Sequence, residues 1–153
     1  MGSTSVFGTR RAGLIAAWLI LIAYPARAER EASATLDLQI TGLRNSRGMV
    51  HLCVSPSPEA FPHCRATGRG RTLSLRATAG HRVTIPALRP GIYAVALIHD
   101  ENGNGELDTV LGVPREGFAF SNNPPIGRPN FARSTFILYR SENRQHLQVR
   151  YLL

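Results

Sequence analysis

The sequence has no lysine, so its 18 basic Lys/Arg positions are all Arg. The arginines are scattered and no basic run exceeds two residues. A nucleic-acid binder gathers its cations into a patch or stripe, so this scatter argues against nucleic acid as a partner. The chain also lacks a Gly-x-Ser-x-Gly elbow, a His-Glu-x-x-His pair and a phosphate-binding glycine loop. The motif-borne hydrolase, metalloprotease and nucleotide chemistries therefore have no anchor. No catalytic residue is nominated and the expectation is a non-enzyme. A hydrolase with dispersed carboxylates stands as an alternative, because such pairs need not adjoin in sequence. There are two cysteines, and none follows the apolar N-terminal run where a lipid anchor would require one.

That run is the first positive feature. Arg10 and Arg11 precede an uncharged stretch from Ala12 to Ala23, and Ala26-Arg27-Ala28 supplies a small-x-small cleavage pattern. This is the layout of an export signal. The run is shorter than the roughly 20 apolar residues of a membrane-spanning helix. The expected division is a signal peptide over 1–28 and a single domain over 29–153, periplasmic or secreted, with no transmembrane span in the mature chain. Losing Arg10, Arg11 and Arg27 while keeping all ten acids takes the net charge from +8 to about +5.

Beyond residue 33 the apolar period is two, not 3.6. Leu36, Leu38 and Ile40 alternate with polar residues, as do Val50, Leu52 and Val54. The same holds for Leu73 and Leu75, for Val83 and Ile85, and for Leu147, Val149 and Tyr151. Ile92 to Ile98 is apolar on both faces, and Phe136 and Leu138 mark one more strand. Turn pairs such as Arg47-Gly48, Pro90-Gly91 and Asn102-Gly103 punctuate the series. About seven short strands without a helical segment predict an all-β fold: an antiparallel immunoglobulin-like or transthyretin-like sandwich, burying the inner faces of two sheets. Tyr93, just after Pro90-Gly91, is expected to form a tyrosine corner, its ring buried and its hydroxyl bonded near the preceding turn. Residues 112–133 form a long Gly/Pro-rich stretch that Phe118, Phe120 and Phe131 should pack down, with an extra strand at 118–120.

In an oxidising compartment, Cys53 and Cys64 read as one disulfide. Inward Val50, Leu52 and Val54 put Cys53 on the outer face, where a covering loop can reach it. The competing reading takes His51, Cys53, His63 and Cys64 as a transition-metal set of two imidazoles and two thiolates.

The second constellation is Asp100-Glu101-Asn102-Gly103-Asn104-Gly105-Glu106-Leu107-Asp108. Asp100, Asn102 and Asn104 fall on positions 1, 3 and 5 of a calcium loop, Glu106 on the backbone-carbonyl position and Asp108 on position 9. Short oxygen-bearing side chains on alternate residues can converge on one hard cation, here Ca2+, around the turn that Gly105 allows. Position 12 is Leu111 rather than a bidentate Glu, and no helices flank the loop, so this is no EF-hand; Glu116 is the candidate for the missing ligand. The ion-free reading is a polar Asn-Gly turn. His99, next to Asp100 on a strand, points to the opposite face and reads as structural.

Pro90-Gly91-Ile92-Tyr93, the run from His99 to Asp108, and Gly112-Val113-Pro114-Arg115-Glu116-Gly117-Phe118-Ala119-Phe120-Ser121-Asn122-Asn123 together resemble an uncharacterised exported bacterial family, domain of unknown function 2141. Gly48 to Val54 followed by Phe61-Pro62 fits the same resemblance. It implies an exported sandwich-like domain, lends no catalytic residues, and makes the Asp100–Asp108 loop and its successor look like family hallmarks. The expectation is a binding or accessory module of the bacterial envelope, with an envelope component or ligand as partner.

Overall fold

The computed structural model describes residues 1–2, 33–64, 70–79 and 82–153. The signal-peptide reading and its cleavage site fall on residues outside that set, apart from the first two.

The period-two pattern builds two face-to-face sheets. The first has strand order β10-β1-β4, from β1 (Ala34–Thr41), β4 (Arg82–Leu88) and β10 (Glu142–Gln148). The second runs β3-β2-β5-β8, from β2 (Met49–Ser55), β3 (Arg71–Arg76), β5 (Gly91–Asp100) and β8 (Gly117–Phe120); β9 (Thr135–Leu138) also pairs with β5. β8 takes the Ala96–His99 end of β5 and β9 the Gly91–Ala94 end. Leu36, Leu38 and Ile40 of β1 meet Val50, Leu52 and Val54 of β2 and Tyr93, Val95 and Leu97 of β5 in one core. Each such side chain contributes about 1.5–3 kcal/mol through burial.

Three features depart from expectation. β1 and β10 pair in parallel, Leu36 opposite Asn143 and Ile40 opposite Leu147, whereas a wholly antiparallel sandwich was expected. The chain leaves β9 in one sheet and enters the other beside β1, so β10 runs in the direction of β1. The last strand also starts earlier than its apolar residues suggest, because Glu142, Arg144 and His146 face solvent along its first half. Past β10, Val149 N–H donates to the Thr41 carbonyl, and Phe118 and Arg150 exchange both backbone hydrogen bonds. The chain end thereby ties β8 to the three-stranded sheet. Finally, a small hairpin, β6 (Thr109–Val110) with β7 (Val113–Pro114), follows the Asp100–Asp108 loop.

Tyr93 is buried as expected and packs within the core. Its hydroxyl, however, makes no hydrogen bond to the preceding turn among the described residues, so the tyrosine-corner expectation is corrected. The ring packs in the core while staying close to Gly91, where an added Cβ would lie 3.8 Å from a ring carbon, and burial chiefly pushes its phenol pKa up.

The long stretch after the hairpin does pack down. Phe120 lies 5.6 Å from Phe61 and 5.8 Å from Phe118 between ring centroids, and Phe131 lies 5.9 Å from Phe61. Ser121 Oγ accepts the Val95 N–H, and Asn123 donates to the His146 carbonyl while accepting the Gln148 N–H. The Ser121-Asn122-Asn123 segment therefore bolts the two sheets together.

Candidate functional site

Cys53 and Cys64 are joined, with an S–S distance of 1.99 Å and Cα atoms 5.5 Å apart. Cys53 faces out of the main core, as alternation requires, and forms a second small cluster with Cys64, Ala96, Phe61 and Phe120. The disulfide consumes both thiolates of the proposed transition-metal set. His51 is committed as well: its Nδ1 lies 2.6 Å from Ser74 Oγ and its Nε2 3.1 Å from Asp100 Oδ2. His63, on the exposed side of the covering loop, is left without the sulfur partners that the metal reading needed.

The Asp100–Asp108 loop springs from the end of β5. Asp100 is fully buried, on the outer face of the sheet opposite Met49. Its Oδ1 accepts the N–H groups of Gly103 at 2.6 Å and Asn104 at 3.2 Å. Its Oδ2 accepts the Gly105 N–H at 2.7 Å and faces His51. Burial alone raises the pKa of this carboxyl, but the Gly105 and Gly103 amides, His51 and the Asn104 amide outweigh it and leave the pKa lowered. Asp100 is thus a buried carboxylate around which the loop is wound. The two glycines sit at positive φ, +79° and +82°, conformations that a side chain would oppose.

On the loop's outer side the short polar side chains cross-link. Asn102 Oδ1 accepts the Asn104 N–H and Asn104 Oδ1 accepts the Glu106 N–H. The amide groups of both asparagines donate to Asp108, Asn102 to Oδ2 at 2.8 Å and Asn104 to Oδ1 at 2.9 Å. The mutual repulsion expected of two carboxylates in one turn is thereby answered by donors: backbone amides around Asp100 and side-chain amides around Asp108. Glu106 is exposed.

Glu116 does not point at the loop's outer oxygens. It is buried and accepts the Glu101 N–H at 2.8 Å and the Asp108 N–H at 3.1 Å. The expectation that it supplies a further ion ligand gives way to a different role: one carboxylate holds the loop's two ends together.

The neighbouring Glu101 is clamped by Arg44, whose Nε lies 3.2 and 3.1 Å from the two carboxylate oxygens and whose Nη2 donates to Oε2, and by the Asn45 amide. Chiefly the Arg44 hydrogen bonds hold its pKa down at about 2. Arg44 stacks over Tyr151 at 4.4 Å. His99 turns inward, as expected of a structural residue, between Tyr151 OH at 2.6 Å and the Arg47 carbonyl at 2.8 Å. Gly48 completes the support: a Cβ there would stand 1.9 Å from the Asp100 carbonyl oxygen. This is why the turn before β2 carries glycine at φ +70°.

Sequence reading missed the Ser74–His51–Asp100 chain, since its members come from β3, β2 and β5 and only the register brings them together. Among the described residues no group of three or more His, Cys, Asp or Glu side chains has metal-holding geometry. Any ion in the Asp100–Asp108 loop must therefore draw on asparagine and backbone oxygens beside its carboxylates.

A family described as "Uncharacterized protein conserved in bacteria (DUF2141)" matches residues 38–146, which take in the Asp100–Asp108 loop, the stretch after it and nearly all of the sandwich. No curated protein and no solved structure matches the chain.

Proposed function

The chain belongs to this bacterial family, and on that premise we propose that it is an exported, non-enzymatic binding or accessory module of the envelope, with Ca2+ taken by the Asp100–Asp108 loop. The observation that supports this reading is the buried Asp100 carboxylate, held by three loop amides, beneath an outer face of Asn102, Asn104 and Asp108. A plain connection between strands needs no such framework. Asp100, Asn102, Asn104 and Asp108 would supply side-chain oxygens, and Glu106 its backbone carbonyl. A cation competes with the two asparagine amides for Asp108, and lacks a bidentate closing carboxylate because Glu116 is engaged elsewhere. The affinity then falls at about 10⁻⁴–10⁻³ M, the range of extracellular modules. Melting in millimolar calcium against chelator tests it: a rise in Tm that Asp100→Ala abolishes supports the ion, and identical melting curves oppose it. Export has its own check. N-terminal sequencing of protein from the periplasm or medium should begin at Glu29, and intact Met1 in a membrane fraction contradicts it.

One observation favours a second reading, hydrolysis. A neutral His51 that donates Nε2–H to Asp100 leaves Nδ1 to accept the Ser74 hydroxyl proton, an arrangement of nucleophile, base and orienter. Three of the contacts to Asp100 come from the turn's own amides and one from His51, which ties this carboxylate to the loop more than to the imidazole, so the first reading is preferred. A fluorophosphonate probe that labels Ser74 in the parent but not in His51→Ala would reverse that preference; an unlabelled parent ends the second reading.

A further inference from the structure

We propose that the tip of the β6–β7 hairpin docks this domain on an anionic phospholipid surface. Val110 pairs with Val113, and Leu111 and Gly112 make the turn with φ of +50° and +78°. Positive φ at both positions is the signature of a tight turn that Asn-Gly fills best; a leucine there is sterically disfavoured. Leu111 is nonetheless 100% exposed, flanked by Val110 at 47% and Val113 at 38%. A Cβ added to Gly112 would meet nothing within 4 Å, so the tip stands clear of the domain. The fold thus spends a strained position on an apolar side chain that touches nothing.

The shape of the tip selects the occupant. A stable protein–protein contact buries about 800 Å² on each partner, far more than a turn of four residues offers. A bilayer needs no matching groove and accepts a convex apolar wedge beside cationic side chains. The cations are present. Arg115 follows the hairpin and is exposed. Arg44 donates to the Arg115 carbonyl at 3.2 Å, and its side chain is 39% exposed; that of Arg47 is 76% exposed, and both share Glu101 as their ion-pair partner. The acids at this end turn mostly inward: Asp100 and Glu116 are buried, and the Glu101 side chain is 9% exposed. Among the described residues at this end only Glu106 and Asp108 oppose an anionic surface. The calcium dependence, and nothing else in this inference, rests on the ion reading above: a cation on Asp108 removes that repulsion.

The test is flotation of the exported protein with phosphatidylglycerol-containing vesicles and with phosphatidylcholine vesicles, in calcium and in chelator. Binding should favour the anionic vesicles and strengthen in calcium. Leu111→Asn suits the positive φ, so it should keep or raise Tm while lowering vesicle partition about tenfold or more. Ile137→Asn, an exposed apolar site at the opposite end of β5, should leave partition unchanged. Equal partition of the parent and Leu111→Asn overturns the proposal, as does a concentration-dependent dimer that Leu111→Asn dissolves. Calcium-raised melting without vesicle binding overturns the docking and leaves the ion. Vesicle binding lost in Leu111→Asn but indifferent to calcium upholds the docking and removes its calcium dependence.

Discussion

Glu116 accepts the backbone N–H of Asp108 at 3.1 Å with one carboxylate oxygen while its other oxygen accepts that of Glu101 at 2.8 Å. A single buried side chain therefore fixes the two ends of the Asp100–Asp108 loop to each other, and the hairpin that follows inherits that placement. Glu116→Gln turns one of the two acceptors into a donor facing a backbone N–H. It should cost about 1–3 kcal/mol, read by urea denaturation, whereas Glu142→Gln on an exposed strand should stay within about 0.5 kcal/mol. Equal effects would remove the staple.

Acid should loosen the same end of the molecule. Glu101, with its ordinary value of 4.5 brought to about 2 by Arg44, and Asp100, also lowered, bind protons more readily unfolded than folded. Their stabilisation is fully present above the unfolded value and is lost as the pH falls through the folded one. Stability should thus decline from about pH 5 toward pH 2, and Glu101→Gln should flatten part of that decline. A flat profile over this window contradicts the assignment.

Tyr93→Phe should be nearly silent, within about 0.5 kcal/mol in thermal melting, because the hydroxyl has no turn partner to lose. A loss of 1–2 kcal/mol, the size of a buried hydrogen bond, would restore the tyrosine corner.

The disulfide closes a loop of sequence separation 11 through the segment that covers β2 and β5. Replacing Cys53 and Cys64 together with alanine should cost about 2–3 kcal/mol by the loop-entropy argument and leave the circular dichroism spectrum unchanged. A non-reduced digest should show the two peptides linked; two free thiols in protein from the envelope would contradict the pairing.

The strands were legible because burial on one face imposes a period of two, and the placement of Cys53 followed from the inward Val50, Leu52 and Val54. What escaped is what depends on register between distant strands. The parallel β1–β10 pair is set by where the chain crosses between sheets, which no local pattern records. Ser74, His51 and Asp100 meet across three strands, and nothing in the residues around each announces the others. Glu116 lies near the loop in sequence, yet whether it faces an ion or two amides depends on its burial. The β6–β7 hairpin was hidden because its strands are two residues each and Leu111-Gly112 lacks the turn chemistry that signals a hairpin. Asp100, Asn102, Asn104 and Asp108 were recognisable from their spacing alone, since they are neighbours in one turn.

The most direct test of the central claim is a calorimetric titration of calcium into the parent protein and into Asp108→Asn. That variant preserves the loop's framework around Asp100 while removing the half-buried Asp108 carboxylate. The account predicts saturable heat with a Kd of about 10⁻⁴–10⁻³ M in the parent, absent or at least tenfold weaker in Asp108→Asn, with unchanged folding. No heat in the parent up to ten times that concentration, or equal heat in the two proteins, would contradict calcium binding by the Asp100–Asp108 loop.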